Sequence, residues 1–293
     1  CWAVNSQGVQ HLAEACCRSG SALVQISTDY VFGADRHRDR PYSETDEPGP
    51  ENVYASSKLG GEYWAHTCPR HLIIRTCGLY GHAPRARNFV TTMLRLSDDP
   101  QARLRVVNDQ HCTPSYVRDV ARAILFLLDS GHHGTFHVVN GGAATWYGFA
   151  CEMFRLAGRT VHVEPISTEQ YGAAAERPRY SVLDTHKYRS LGGPELPMWQ
   201  DALAEFLRTN SRGFAPSPAG REALPRIGPA EQSARGQEPG NEARKEVLDT
   251  GHAYPSRLPA FCKKAASASS GPVTGRSDSS LEKTTARPEP SPA

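Results

Sequence analysis

Short apolar runs alternate with helical repeats along the first 209 residues, and this alternation restricts the fold more than any other feature. Over residues 2–18, Val9, Leu12, Ala13 and Cys16 follow helical spacing, and Gly20 is placed to stop the helix in a left-handed turn. ALVQIS at 22–27 reads as a strand, 53–66 as a helix and HLIIRT at 71–76 as a strand. Residues 88–96 read as a helix, 104–108 as a strand, and 115–130 as a long helix with Gly131 beyond its end. A strand at 136–140, a helix at 145–157 ending at Gly158, a last strand at 161–166 and a helix at 199–208 complete the pattern. Repeated strand-then-helix order with β-branched strands predicts an α/β fold with a parallel sheet covered on both faces. In such sheets the chemistry sits beyond the carboxyl ends of the strands.

Composition changes near Asn210. Stretches such as SPAGREALPRIGPAEQSARGQEPG have too little apolar surface to offset the entropy of ordering them. We therefore expect an ordered unit over 1–209 and a disordered low-complexity tail over 210–293, a read-through reading frame being the rival account of the tail. The chain starts at Cys1 directly in an amphipathic pattern. That start suggests an N-terminal truncation, with a mature processed chain as the alternative. A formal charge of +2 on 293 residues argues against bulk electrostatic binding of nucleic acid or membrane. No apolar run is long enough to span a bilayer, and no signal-peptide pattern is visible. The eight cysteines form no CxxC pair or other zinc-like spacing, so no metal site is expected and a reduced, cytoplasmic protein is the simplest reading.

The first strand ends in Ser27-Thr28-Asp29-Tyr30-Val31-Phe32-Gly33. Taken alone, ordinary turn chemistry explains these polar residues. Tyr54-Ala55-Ser56-Ser57-Lys58 changes the odds, because it sets a phenol and an ammonium on one face of a helix. A free tyrosine, with a pKa of about 10, is a poor acid at neutral pH. A neighbouring cation stabilises the phenolate, which suits a group that must give its proton to a developing alkoxide. A bare YxxxK is often only a solvated helix face; preceded at this distance by a strand ending in Ser-Thr, it becomes a constellation.

STDYVFG, a Pro-rich loop and NVYASSKLGGE together resemble the extended short-chain dehydrogenases, and Asn5 to Leu12 resembles their NxxGxxxL helix. HLIIRT, LYG, NFVTTMLRL, VVNDQ and TPSYVRDVARAI resemble the dTDP-4-dehydrorhamnose reductase family. The resemblance runs from residue 1 to about 209. It implies a Rossmann-like sheet, its first strands lying before residue 1, with a small C-terminal substrate lobe. It implies reduction of the C4 ketone of a dTDP-6-deoxy sugar with NADPH or NADH. Thr28 would bond the reacting oxygen, Tyr54 donate the proton, and Lys58 hold the nicotinamide ribose. Asn5, Ser27 and Thr76 would complete the cofactor contacts, with Asn5 supporting Lys58, often through water. Asp29, Tyr30 and Arg177 would line the sugar pocket, although for Arg177 a plain solvated charge is an equal alternative. The implied partner is a nucleotide sugar, and a homodimer is one compatible assembly.

Two departures from the family pattern stand out. The glycine-rich GxxGxxG turn does not occur, since Gly141-Gly142 follows a late strand and lacks the spacing. RTSW is replaced by Arg75-Thr76-Cys77-Gly78, so the family tryptophan that lines the sugar site is a glycine here. Trp146 and Trp199 begin helical patterns and read as packing residues. A non-catalytic subunit resembling the methionine adenosyltransferase beta subunit, another sugar-nucleotide epimerase or dehydratase, and an inert fragment remain alternatives.

Overall fold

A computed structural model describes residues 1–82, 88–99 and 101–210. The expected tail lies outside the described residues. The central sheet is parallel, with β1 (Leu23–Thr28), β2 (His71–Thr76) and β7 (Gly134–His137) in the order β1-β2-β7. Their register aligns Thr28 with Thr76 at the carboxyl end.

Alternate residues of β2 face opposite layers, as strand geometry requires. Ile73 packs with Val9, Ala13 and Ala65 from α1 (Gly8–Ser19) and α2 (Val53–Ala65). Leu72 and Ile74 pack on the other side with Val120, Ala123 and Leu127 of α4 (Val117–Asp129). Gly20 closes α1 at φ +68°, as the sequence predicts.

The expected helix over 2–18 is not uniform. Ala3–Gln7 is a π-helical turn leading into α1. It lies close to α2 because Gly60 and Gly61 leave room for it. A Cβ on Gly60 would lie 2.9 Å from both Ser6 and Trp2, and one on Gly61 would lie 2.1 Å from the Asn5 carbonyl oxygen. Elsewhere in a helix, Gly→Ala gains up to about 1 kcal/mol. Here Gly61→Ala is expected to cost about 1–3 kcal/mol through overpacking and to displace Asn5. A urea-unfolding midpoint that rises instead would contradict this close approach.

The single sheet expected from the sequence is corrected in one respect. The strands predicted at 104–108 and 161–166 form, as β4 (Arg103–Val107) and β9 (His162–Ile166), but they pair in parallel with each other and not with the central sheet. They are covered by α5 (Trp146–Leu156) in a second core. That core also holds Met93 of α3 (Phe89–Leu96) and Leu203 and Phe206 of α8 (Trp199–Thr209). Four further strands are only two residues long: β3 (Leu79–Tyr80) pairs with β6 (Ser115–Tyr116), and β5 (His111–Cys112) with β8 (Ala144–Thr145). The short helices α6 (Thr168–Tyr171) and α7 (His186–Arg189) complete the chain order. Among the described residues no helix is long and apolar enough to cross a membrane.

Candidate active site

Asn52 starts α2. Its Oδ1 accepts from the Ala55 amide at 2.8 Å, satisfying a helix-start donor. Its Nδ2 donates to the Glu176 carbonyl at 2.8 Å. One side chain therefore both begins α2 and ties the 176–177 segment to it. In the first turn of α2, Tyr54 is 38% exposed, and its ring meets that of Tyr30 edge-on at 6.4 Å.

Lys58 lies one turn beyond Tyr54 and donates to the Ile26 carbonyl of β1. An ammonium has three donors, so this anchor fixes its position and leaves two for a ligand. Burial lowers its pKa, and the nearby Glu62 carboxylate acts in the opposite direction. Asn5 supports this helix directly: its Nδ2 donates to Ser57 Oγ at 3.0 Å, and Ser57 Oγ donates to the Tyr54 carbonyl at 2.8 Å.

Thr28 and Asp29 end β1. Thr28 is 7% exposed; its Oγ1 donates to Asp29 Oδ1 at 3.1 Å and accepts from the Tyr30 amide at 3.2 Å. Asp29 is buried, accepts from Ser181 Oγ at 2.6 Å and also bonds the Cys77 thiol. Burial raises its pKa, and those hydrogen bonds pull the other way. Asp29 thus fastens the end of β1 to the 181 segment. Burial also raises the Tyr30 pKa, partly offset by the guanidinium of Arg177. Arg177 in turn stands 5.8 Å over the Tyr171 ring. Thr28, Asp29, Tyr30, Tyr54, Lys58 and Arg177 are thus linked around one end of the sheet.

Ser27 and Thr76 are placed differently from each other. Ser27 donates to Glu62, which lies inside an ion pair with Arg75. Arg75 Nε reaches Glu62 Oε1 at 3.1 Å, and Nη2 reaches Oε2 at 2.7 Å. This buried pair joins α2, which carries both Glu62 and Lys58, to β2. Thr76, beside Thr28 in register, has a buried Oγ1 with no hydrogen-bond partner among the described residues. Asn52, Ser57, Glu62, Arg75 and Ser181 are supporting residues that motif reading did not identify. An asparagine opening NVYAS was a helix-cap signal for the first of them.

His137 of β7 lies against this network. Its Nδ1 is 3.0 Å from the Tyr42 carbonyl oxygen. Burial, and then the Arg75 charge, push its pKa down from 6.5 to about 3. An unfolded chain would take up this proton near pH 6.5, whereas the folded one resists until about pH 3. Stability is therefore present above pH 6.5 and lost as pH falls toward 3. His137→Gln should flatten that acid limb in Tm-against-pH curves, and an unchanged slope would contradict the assignment.

Comparison with known proteins gives a consistent result. The RmlD substrate binding domain model matches residues 2–212. A dTDP-4-dehydrorhamnose reductase from Mycobacterium tuberculosis (strain CDC 1551 / Oshkosh) is 39% identical over 211 residues, covering 70% of this chain and 69% of the relative. A spore coat polysaccharide biosynthesis protein from Bacillus subtilis (strain 168) is 39% identical over 209 residues, covering 71% of each. A solved dTDP-4-dehydrorhamnose reductase from Bacillus anthracis str. Ames, in complex with NADP, superposes with a TM-score of 0.67 at 38% identity. That match covers 71% of this chain and 73% of the other.

Proposed function

Because the chain belongs to the RmlD substrate binding domain family, we propose that it reduces the C4 ketone of dTDP-4-dehydrorhamnose to give dTDP-L-rhamnose. The observation that carries this reading is the placement of Tyr54 and Lys58. They stand one turn apart on α2, with Lys58 fastened to β1 and Thr28 at the end of the same strand.

The residues present fit the nicotinamide end of a dinucleotide. Lys58 keeps two donors, Asn5 steadies its helix, and Thr76 offers a buried hydroxyl with no partner among the described residues. In this proposal Lys58 and Tyr54 hold the nicotinamide ribose, with Asn5, Ser27 and Thr76 behind them. Bound NADPH, or NADH, supplies the hydride that reduces the ketone carbon.

The chain's own residues manage the oxygen. The Thr28 hydroxyl turns from Asp29 to hydrogen-bond the C4 oxygen. As negative charge develops there, the Tyr54 O–H donates its proton to it. The resulting phenolate is held by the Lys58 ammonium until solvent returns the proton. Tyr30, Asp29 and Arg177 line the sugar side, Asp29 acting mainly through the positions of Thr28 and Ser181.

A nucleotide sugar is then the partner, a homodimer the assembly to test by sedimentation, and the cytoplasm the setting. The seven described cysteines, all free thiols, support that setting. Mixing the protein with the 4-keto sugar nucleotide and NADPH tests the function, read as loss of reduced nicotinamide matched to loss of ketone. Lys58→Met is expected to weaken cofactor binding and to cut turnover by about a hundredfold or more. An intact rate in that variant, or no oxidation of NADPH by the native protein, would remove the basis of the proposal.

A further inference from the structure

Residue 78 carries no side chain and cannot readily acquire one. Gly78 lies two residues past Thr76, at the carboxyl end of β2, with φ +51°. A Cβ built there would lie 3.1 Å from Pro114 Cα and 3.2 Å from Cη2 of Trp146. The tip of the Trp146 indole thus stands against the chain where a side chain at 78 would begin.

That indole is held from several directions. Its ring is 4.9 Å from Phe89 and 6.4 Å from Phe149. It packs on the cluster of Val31, Cys77 and Cys112, which joins the segments just after Thr28 and just after Thr76. Thr145 fixes the helix start, accepting from the Gly148 amide at 3.0 Å and donating to Asn108 at 2.8 Å. Yet Trp146 is only partly buried, so part of a rigid aromatic surface stays open.

We propose that Trp146 is a specificity-determining residue that forms the aromatic wall of the sugar site, stacking on the apolar C–H face of the 4-ketohexose beside its C6 methyl group. This rests on the reductase reading above. A 6-deoxy sugar has an apolar edge that a hexose with a C6 hydroxyl lacks, and an aromatic face rewards that edge. An apolar wall discriminates only modestly against an added hydroxyl, so the effect belongs in binding more than in chemistry.

The test uses 5-fluorotryptophan-labelled protein, whose four tryptophans give separate fluorine signals. Comparison with Trp146→Phe identifies the signal of interest. Titration with dTDP-L-rhamnose should shift the Trp146 resonance in a saturable way. If calorimetry shows the product binding while this resonance stays still, the proposal fails and the reductase reading stands. If no product binds, both fail together. Kinetically, Trp146→Ala should raise KM for the sugar nucleotide about tenfold, with kcat and the KM for NADPH within about twofold. Trp146→Phe should recover most of that loss. A lowered Tm with an unchanged KM would show that the indole only packs.

Discussion

Replacing Tyr54 with phenylalanine is expected to lower the rate of ketone reduction by roughly a hundred- to ten-thousand-fold, while cofactor affinity changes by less than about threefold. The phenol gives its proton only as charge develops on the sugar oxygen, so its loss is felt mainly in the transition state, while the ribose contact it shares with Lys58 accounts for the small change in affinity. Phenylalanine preserves the edge contact with Tyr30 and the start of α2, and the fold should survive. Steady-state kinetics with nucleotide titration on the same preparation separates the two effects. If the variant kept more than about a tenth of native turnover, a deficit under about 1.4 kcal/mol, the proton donor would have to be another group.

The second large effect concerns stability. Arg75 and Glu62 are both buried, and the pair shares its carboxylate with Ser27. Removing one partner strands the other charge away from water. Arg75→Met is expected to cost about 3–5 kcal/mol in urea unfolding. Replacing both residues, as Arg75→Met with Glu62→Leu, should recover much of that loss, because the stranded charge is gone. A single-variant loss below about 1 kcal/mol would mean that the carboxylate finds other support. Because Glu62 also acts on the Lys58 ammonium one turn away, the single variant should disturb catalysis as well as folding.

Much of this arrangement was legible in the sequence, and what was not has definite causes. Strand-then-helix order, the Gly20 stop and the YxxxK helix each depend on local spacing, which the sequence states directly. Sheet membership does not. β4 (RLRVV) and β9 (HVEPI) read as strands just as β1 and β2 do, and only their tertiary neighbours decide that they pair together. The two-residue strands are too short to show any period. Glu62 and Arg75 are charged residues on a helix and a strand, and nothing in local spacing marks them as buried; their burial depends on their finding each other. Ser27 reads as part of the STD motif, yet its hydroxyl is bonded to Glu62 within that pair. Gly60 and Gly61 carry no motif signal of their own; their purpose emerges only when the π-helical turn is laid across them. Trp146 reads as a packing residue, which it is in part, and its closeness to Gly78 depends on two segments far apart in the chain.

The most direct test of the central claim is the C4 configuration of the product. The full chain, supplied with dTDP-4-dehydrorhamnose and NADPH, should yield a sugar nucleotide two mass units heavier, and proton NMR should show the rhamno configuration at C4. An unchanged ketone, an epimerised or dehydrated product without oxidation of NADPH, or the opposite C4 configuration would contradict the account.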